Sequence, residues 1–195
     1  AYTPNRIMGI LAGDALLNYA FETAVSAFSI EGVDAGNIGE ALQVLAKKAG
    51  IYGMIGGQVV DVKCTGQSIS GDTLDFIYRL KTGALIEGSM MIGAILAGAS
   101  KEEIKSVETI AQKVGLAFQI QDDILDVTST AEVLGKPIHS DEKNEKTTYV
   151  TWKGIEAAKA EVKQLSEEAV KELKRLESTD EYLELLLESL IYRKK

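Results

Sequence analysis

No proline stands between Pro4 and Pro137, and these two are the only prolines in a chain of 195 residues. A proline inside a helix removes a backbone donor and clashes with the preceding turn, so a stretch free of them permits long, uninterrupted helices. Apolar residues recur there at helical spacing, and no segment alternates apolar and polar residues long enough to pair as a strand. The chain is predicted to be all-α.

Residues 7–30 read as an apolar helix ended by Glu31-Gly32, and residues 39–49 as an amphipathic helix closed by Gly50. The glycine-rich stretch 53–61 starts or lines a further helix. Residues 72–99 form a long apolar helix that contains Lys81 and Glu87. Its second part, 83–99, approaches the roughly 20 apolar residues of a bilayer span, but Glu87 interrupts it and no basic asymmetry flanks it. A fully buried central helix is the expectation. Ser100-Lys101-Glu102-Glu103 is a capping box that opens the next helix. Residues 128–146, with Gly135, Pro137 and mixed charge, break the periodicity and read as an ordered or ligand-responsive loop. Val162, Leu165, Ala169, Leu173 and Leu176 make one apolar stripe, and residues 180–194 supply a last helix. With 46% hydrophobic residues, the whole of residues 1–195 is expected to be a single helical domain.

A net charge of −8 argues against nucleic acid or an anionic membrane surface as the main partner. The single cysteine, Cys64, excludes an internal disulfide and suits a reducing cytoplasm, and the start of the chain lacks the pattern of a secretory leader.

The segment with the most chemistry is Phe118-Gln-Ile-Gln-Asp-Asp-Ile-Leu-Asp126, set inside an apolar run from Val114 to Val127. On a helix, Asp122 and Asp126 stack on one face with Asp123 alongside and Gln119 one turn earlier. Like charges in an apolar segment are costly unless a cation is held there, which points to a metal; a helix end reaching solvent is the bland alternative. Lys81, inside an apolar helix, either contacts a substrate or snorkels to solvent. Gln119 could simply satisfy a buried polar contact. Lys136 and Lys146 lie in a charged region where lysines are ordinary. Asp14 is as readily structural as functional. Asp61 and Gly57-Gln58 are read from the residues alone as packing. His139, Trp152, Cys64 and Met90-Met91 read as surface or packing residues.

The acidic run resembles the second aspartate-rich motif of the trans-isoprenyl diphosphate synthases. Other motifs agree in order: Gly13-Asp-Ala-Leu-Leu17, Gly57-Gln-Val-Val-Asp61, Lys81-Thr82-Gly83, Gly135-Lys136, then Asp141 with Lys146-Thr-Thr-Tyr149, and the basic end Ile191-Tyr-Arg-Lys-Lys195. The likeness is greatest to the bacterial short-chain, farnesyl (geranyltranstransferase) type. It implies an isoprenoid-synthase helical bundle around a central cavity, a cytoplasmic homodimer, and the condensation of isopentenyl diphosphate with dimethylallyl or geranyl diphosphate.

The resemblance also assigns residues. Asp122 becomes the direct Mg²⁺ ligand, with Asp123 and Asp126 binding through water or orienting it. Lys81, Lys136 and Lys146 become donors to diphosphate, and Thr82 and Gln119 stabilise the allylic cation beside the breaking bond. The family's first aspartate-rich motif and its Arg-Arg-Gly segment, which precede Gly-Asp-x-Leu-Leu, have no counterpart in the residues before Gly13. Little turnover is therefore expected from these 195 residues alone. A shortened, non-catalytic partner subunit of a complete synthase is the competing reading. Terpene cyclisation fits less well, since its second metal motif has an Asn/Asp–Ser/Thr–Glu form.

Overall fold

The computed structural model describes residues 4–129, 146–176 and 181–191. Among them there are helices and no strands. In chain order these are α1 (Pro4–Val25), a 3₁₀ turn (Ser26–Ser29), α2 (Ala35–Ala49), α3 (Met54–Lys63), α4 (Gly71–Tyr78), a π-helical turn (Arg79–Gly83), α5 (Ala84–Leu96) and α6 (Lys101–Thr128). After the undescribed stretch come α7 (Tyr149–Lys153), α8 (Ile155–Leu173) and α9 (Glu181–Ile191). The loop expected over 128–146 falls almost wholly outside the described residues.

Helix starts follow local chemistry. Asp34 caps α2 by accepting from the Asn37 N–H, and Ser70 caps α4 through Thr73. The Ser100 box is formed in full: the Glu103 N–H donates to Ser100 Oγ, and the Ser100 N–H donates to Glu103 Oε2 at 2.7 Å. Gly98, at φ 77°, takes the left-handed conformation that ends α5 and turns the chain toward α6.

α6 is the helix the others surround. α8 lies along one side of it, α5 and the π turn along another, and α9 and α7 complete the enclosure. Ile110, Ala111, Val114, Ala117 and Ile120 are fully buried, and Ala158, Val162, Ala169 and Leu173 of α8 pack into the same core. α2 covers the outer side of α5, and α3 and α4 pack against the π turn.

Two expectations change here. Residues 72–99 do not form one regular helix, because a π turn separates α4 from α5. Nor is the 83–99 segment fully buried: Leu85 and Leu96 are each 43% exposed, and α5 buries only Ala84, Glu87, Gly88 and Ile95. Hydropathy marks α5 as the most apolar helix, yet burial follows the number of packed neighbours, and α6 has more of them. α1 touches little besides α2 and the 3₁₀ turn, so Ile7, Met8, Ile10, Leu11 and Leu16 are exposed. Among the described residues no helix is long and apolar enough to cross a membrane.

The buried Glu87 is neutralised. Lys48 of α2 donates to Glu87 and, at 2.9 Å, to Glu108 of α6, so one ammonium group joins three helices. Burial pulls the Lys48 pKa down, but its two carboxylate partners outweigh this and hold it above the ordinary value.

Candidate active site

Two glycines bring the polar groups together. A β-carbon on Gly57 of α3 would lie 2.3 Å from the Lys81 backbone nitrogen, so α3 meets the π turn backbone to backbone. On the opposite side, a β-carbon on Gly115 of α6 would lie 2.9 Å from Gly83 Cα. Each close approach is followed, one helical turn later, by a polar contact to the same π turn. Lys81 Nζ donates to Asp61 Oδ2 at 2.6 Å, and Thr82 Oγ1 donates to Gln119 Oε1 at 3.1 Å.

Lys146 arrives from the far side of the undescribed stretch, just before α7. Its Nζ lies 3.1 Å from both oxygens of Asp61, and the residues that follow it are pinned in turn. Thr147 Oγ1 accepts from the Ile69 N–H at 3.3 Å, and the Tyr149 N–H donates to Asp123 Oδ2 at 2.7 Å. Asp123 Oδ2 also accepts from Tyr78 Oη at 2.5 Å, tying α4, α6 and α7 to one carboxylate.

These residues enclose a cavity of about 130 Å³ lined by Asp61, Lys81, Gln119, Asp122, Asp123 and Lys146 among others. Beside it lies an apolar cavity of about 470 Å³, walled by Thr82, Leu85, Phe118, Leu186 and Leu190, with Lys81 on the border of both. A polar chamber opening next to an apolar one suits a ligand with an anionic head and a hydrocarbon tail.

Burial pushes the Asp61 carboxyl up, but the hydrogen bonds from Lys81 and Lys146 outweigh it and hold its pKa below the usual carboxylate range. The carboxylate therefore stays ionised at neutral pH, between two ammonium groups.

The residues singled out by sequence divide as follows. Lys81, Gln119, Asp122, Asp123 and Lys146 share the polar cavity, and Thr82 joins them through Gln119. Asp126, 4% exposed, is not among the residues lining the cavity. Lys136 lies outside the described residues, as do Gly135, Pro137, His139, Asp141 and the basic end after Ile191. Among the described residues no group of three or more His, Cys, Asp or Glu side chains is gathered so as to hold a metal by itself. Mg²⁺ characteristically takes only one or two carboxylates and fills the rest of its shell with water and phosphate oxygens. Asp122 on the cavity wall, facing a space flanked by two lysines, fits that donor pattern.

Sequence reasoning left Asp61 undecided and passed over Tyr78. The signal for Asp61 was present in the Gly57-Gln-x-x-Asp61 spacing, which puts the acid one turn from the tight contact. Tyr78 carried no signal, because its partner lies 45 residues away.

Comparison with known proteins gives a consistent answer. The polyprenyl synthetase family model matches residues 3–186. The chain is 44% identical over 172 residues to a chloroplastic geranylgeranyl pyrophosphate synthase of Capsicum annuum, covering 88% of this chain and 46% of that protein. It is 39% identical over 190 residues to the farnesyl diphosphate synthase of Escherichia coli, covering 95% of this chain and 63% of that one. A geranyltransferase of Helicobacter pylori, solved with magnesium and isoprenyl diphosphate, superposes with a TM-score of 0.79 at 32% identity, over 96% of this chain and 60% of its own. The chain thus spans about half the length of several curated relatives it matches.

Proposed function

This chain belongs to the polyprenyl synthetase family, and from that premise we propose that its polar cavity is the diphosphate-binding part of a Mg²⁺-dependent prenyltransferase. The reaction is condensation of isopentenyl diphosphate with an allylic diphosphate, dimethylallyl or geranyl, to a short-chain product. Farnesyl diphosphate is the expected product, although the relatives include geranylgeranyl as well as farnesyl synthases. One observation carries the reading: Lys81 and Lys146, distant in sequence, converge on one cavity whose wall includes Asp122.

The chemistry is heterolysis of the allylic C–O bond, attack of the isopentenyl double bond on the resulting cation, and loss of a proton to the departing pyrophosphate. Asp122 is the residue that would hold Mg²⁺, which when bound would offset the negative charge building on the leaving group. Lys81 and Lys146 hold the diphosphate through charge-assisted hydrogen bonds, and Lys136 is proposed as a third donor. Gln119 and Thr82, hydrogen-bonded to each other, offer fixed oxygen dipoles toward the cation. Asp123 anchors the start of α7 through the Tyr149 N–H and so holds Lys146 at the cavity. The apolar cleft offers a surface along which the hydrocarbon chain lies.

The test is calorimetric titration with geranyl diphosphate. Binding should require Mg²⁺ and weaken at least tenfold in Asp122→Asn and in Lys81→Met. Binding that ignores Mg²⁺ and both substitutions refutes the reading. Labelled isopentenyl diphosphate then reports turnover and product length, for the chain alone and mixed with a complete synthase. Co-purification with a complete synthase, with a rate or product length different from that of the synthase assayed alone, identifies the partner-subunit alternative.

A further inference from the structure

We propose that Asp61 is a positioning residue, an internal anion that holds the Lys81 and Lys146 ammonium groups between turnovers and competes with diphosphate for them. The inference rests on the diphosphate-binding reading above.

The geometry is specific. Lys81 Nζ and Lys146 Nζ both lie within hydrogen-bond distance of the same oxygen, Asp61 Oδ2, at 2.6 and 3.1 Å. Two ammonium groups that share one oxygen atom repel each other strongly unless an anion lies between them. Asp61 is that anion in this structure. Its side chain is 14% exposed, whereas those of Lys81 and Lys146 are 34% and 27% exposed, so the carboxylate is the enclosed member and the lysines close over it.

The three groups come from α3, the π turn and the segment before α7, so no local sequence rule assembles them. The contact is made possible by the glycine approach at Gly57, one turn before Asp61. A residue that served only to pack α3 against the π turn would not need to present both oxygens to cations across the cavity.

A phosphate oxygen has the same needs as the Asp61 carboxylate: short, charge-assisted donors arranged around a concentrated negative charge. Diphosphate entry therefore transfers the two ammonium groups from Asp61 to the ligand, and pyrophosphate departure returns them. The exchange keeps the lysines aligned without a ligand and limits how tightly the leaving pyrophosphate is held. It also predicts an unusual sign: removing the Asp61 charge strengthens anion binding.

The experiment is titration of the chain with inorganic pyrophosphate in the presence of Mg²⁺. Asp61→Asn should bind about tenfold more tightly than the parent chain, the scale of one competing charge in a partly screened site. Asp61→Glu, which keeps the anion, should bind within about twofold of the parent. Asp61→Ala is read in the same way as Asp61→Asn if the latter melts early. Equal or weaker binding in the charge-removing variants overturns the proposal and leaves the diphosphate reading intact. Absence of pyrophosphate binding in the parent chain, with no response to Lys81→Met, overturns the functional reading and this inference with it.

Discussion

Gly57→Ala tests the packing on which the site depends. The new methyl would lie 2.3 Å from the Lys81 backbone nitrogen and 2.8 Å from both the carbonyl carbon and Cβ of Leu80, where ordinary contact begins near 3.4 Å. Most of the obstruction is backbone, which cannot rotate aside, so α3 must retreat from the π turn by roughly 1 Å to restore ordinary contact distances. Such overpacking costs about 1–3 kcal/mol, and loss of the partly exposed Asp61–Lys81 pair adds up to about 1 kcal/mol. The better helix propensity of alanine returns about 1 kcal/mol. These terms sum to a loss between about 0 and 3 kcal/mol, centred near 1.5, which with a urea slope near 2 kcal/mol/M lowers the midpoint by about 0.75 M. Gly39→Ala in α2 is the matched control. A β-carbon there meets nothing within 4 Å, so it should stabilise by about 0.5–1 kcal/mol. Urea titration followed by far-UV circular dichroism reads both. A Gly57→Ala chain with an unchanged or raised midpoint and unaltered pyrophosphate affinity would refute the argument that this contact positions Lys81.

Tyr78→Phe removes a donor to the buried Asp123 carboxylate and should cost about 1.5–3 kcal/mol in urea titration. Hydrogen exchange of the Tyr149 amide, which donates to the same carboxylate oxygen, should show whether the start of α7 loosens with it. Lys48→Met leaves Glu87, 5% exposed, and its neighbour Glu108 without their shared cation, and should cost about 3 kcal/mol, measured as a midpoint shift. The depressed Asp61 pKa stabilises the fold wherever the unfolded group, at about 3.8, is already ionised. That contribution is full above that value and is lost as pH falls through the lower folded pKa. The stability gap between the parent chain and Asp61→Asn should therefore hold steady from pH 7 to about pH 5 and close below about pH 4. A gap that instead widens on acidification would contradict the assigned ion pairs.

What the sequence reveals here is whatever depends on neighbours along one helix. The acidic run reads correctly as part of a long helix because Val114, Ala117, Ile120 and Ile124 repeat at helical spacing and end in the core. The Ser100–Glu103 box is legible for the same reason, since both partners lie within one turn. The stripe from Val162 to Leu173 likewise becomes the buried face of α8. Contacts between helices carry no such mark. Glu87 looked like an interruption in an apolar helix, and only the arrival of Lys48 from α2, 39 residues away, explains how it is buried. Asp123 is expected from the resemblance to bind the metal through water or to orient it, and in the structure its Oδ2 is engaged by Tyr78 and by the backbone of Tyr149.

The π turn at Arg79–Gly83 is the feature least visible in sequence and the one that most directly explains the site. Tyr78 and Gly83 both face α6, the first through Asp123 and the second through Gly115. Five residues of regular α-helix would set them roughly 140° apart around the axis, so both could not meet the same neighbour. A π turn closes its hydrogen bonds five residues apart and brings positions i and i+5 nearly into line. The position of Gly83 against the Tyr78 carbonyl oxygen, 3.2 Å from where a β-carbon would sit, reflects that stacking. The wide turn has a second effect. Lys81 and Thr82 lie within it, reaching α3 on one side through Asp61 and α6 on the other through Gln119. Hydrophobic periodicity cannot report a single inserted residue, because apolar side chains continue on either side of it. Here the insertion, fixed between Gly57 and Gly115, lets one short segment meet both walls of the cavity.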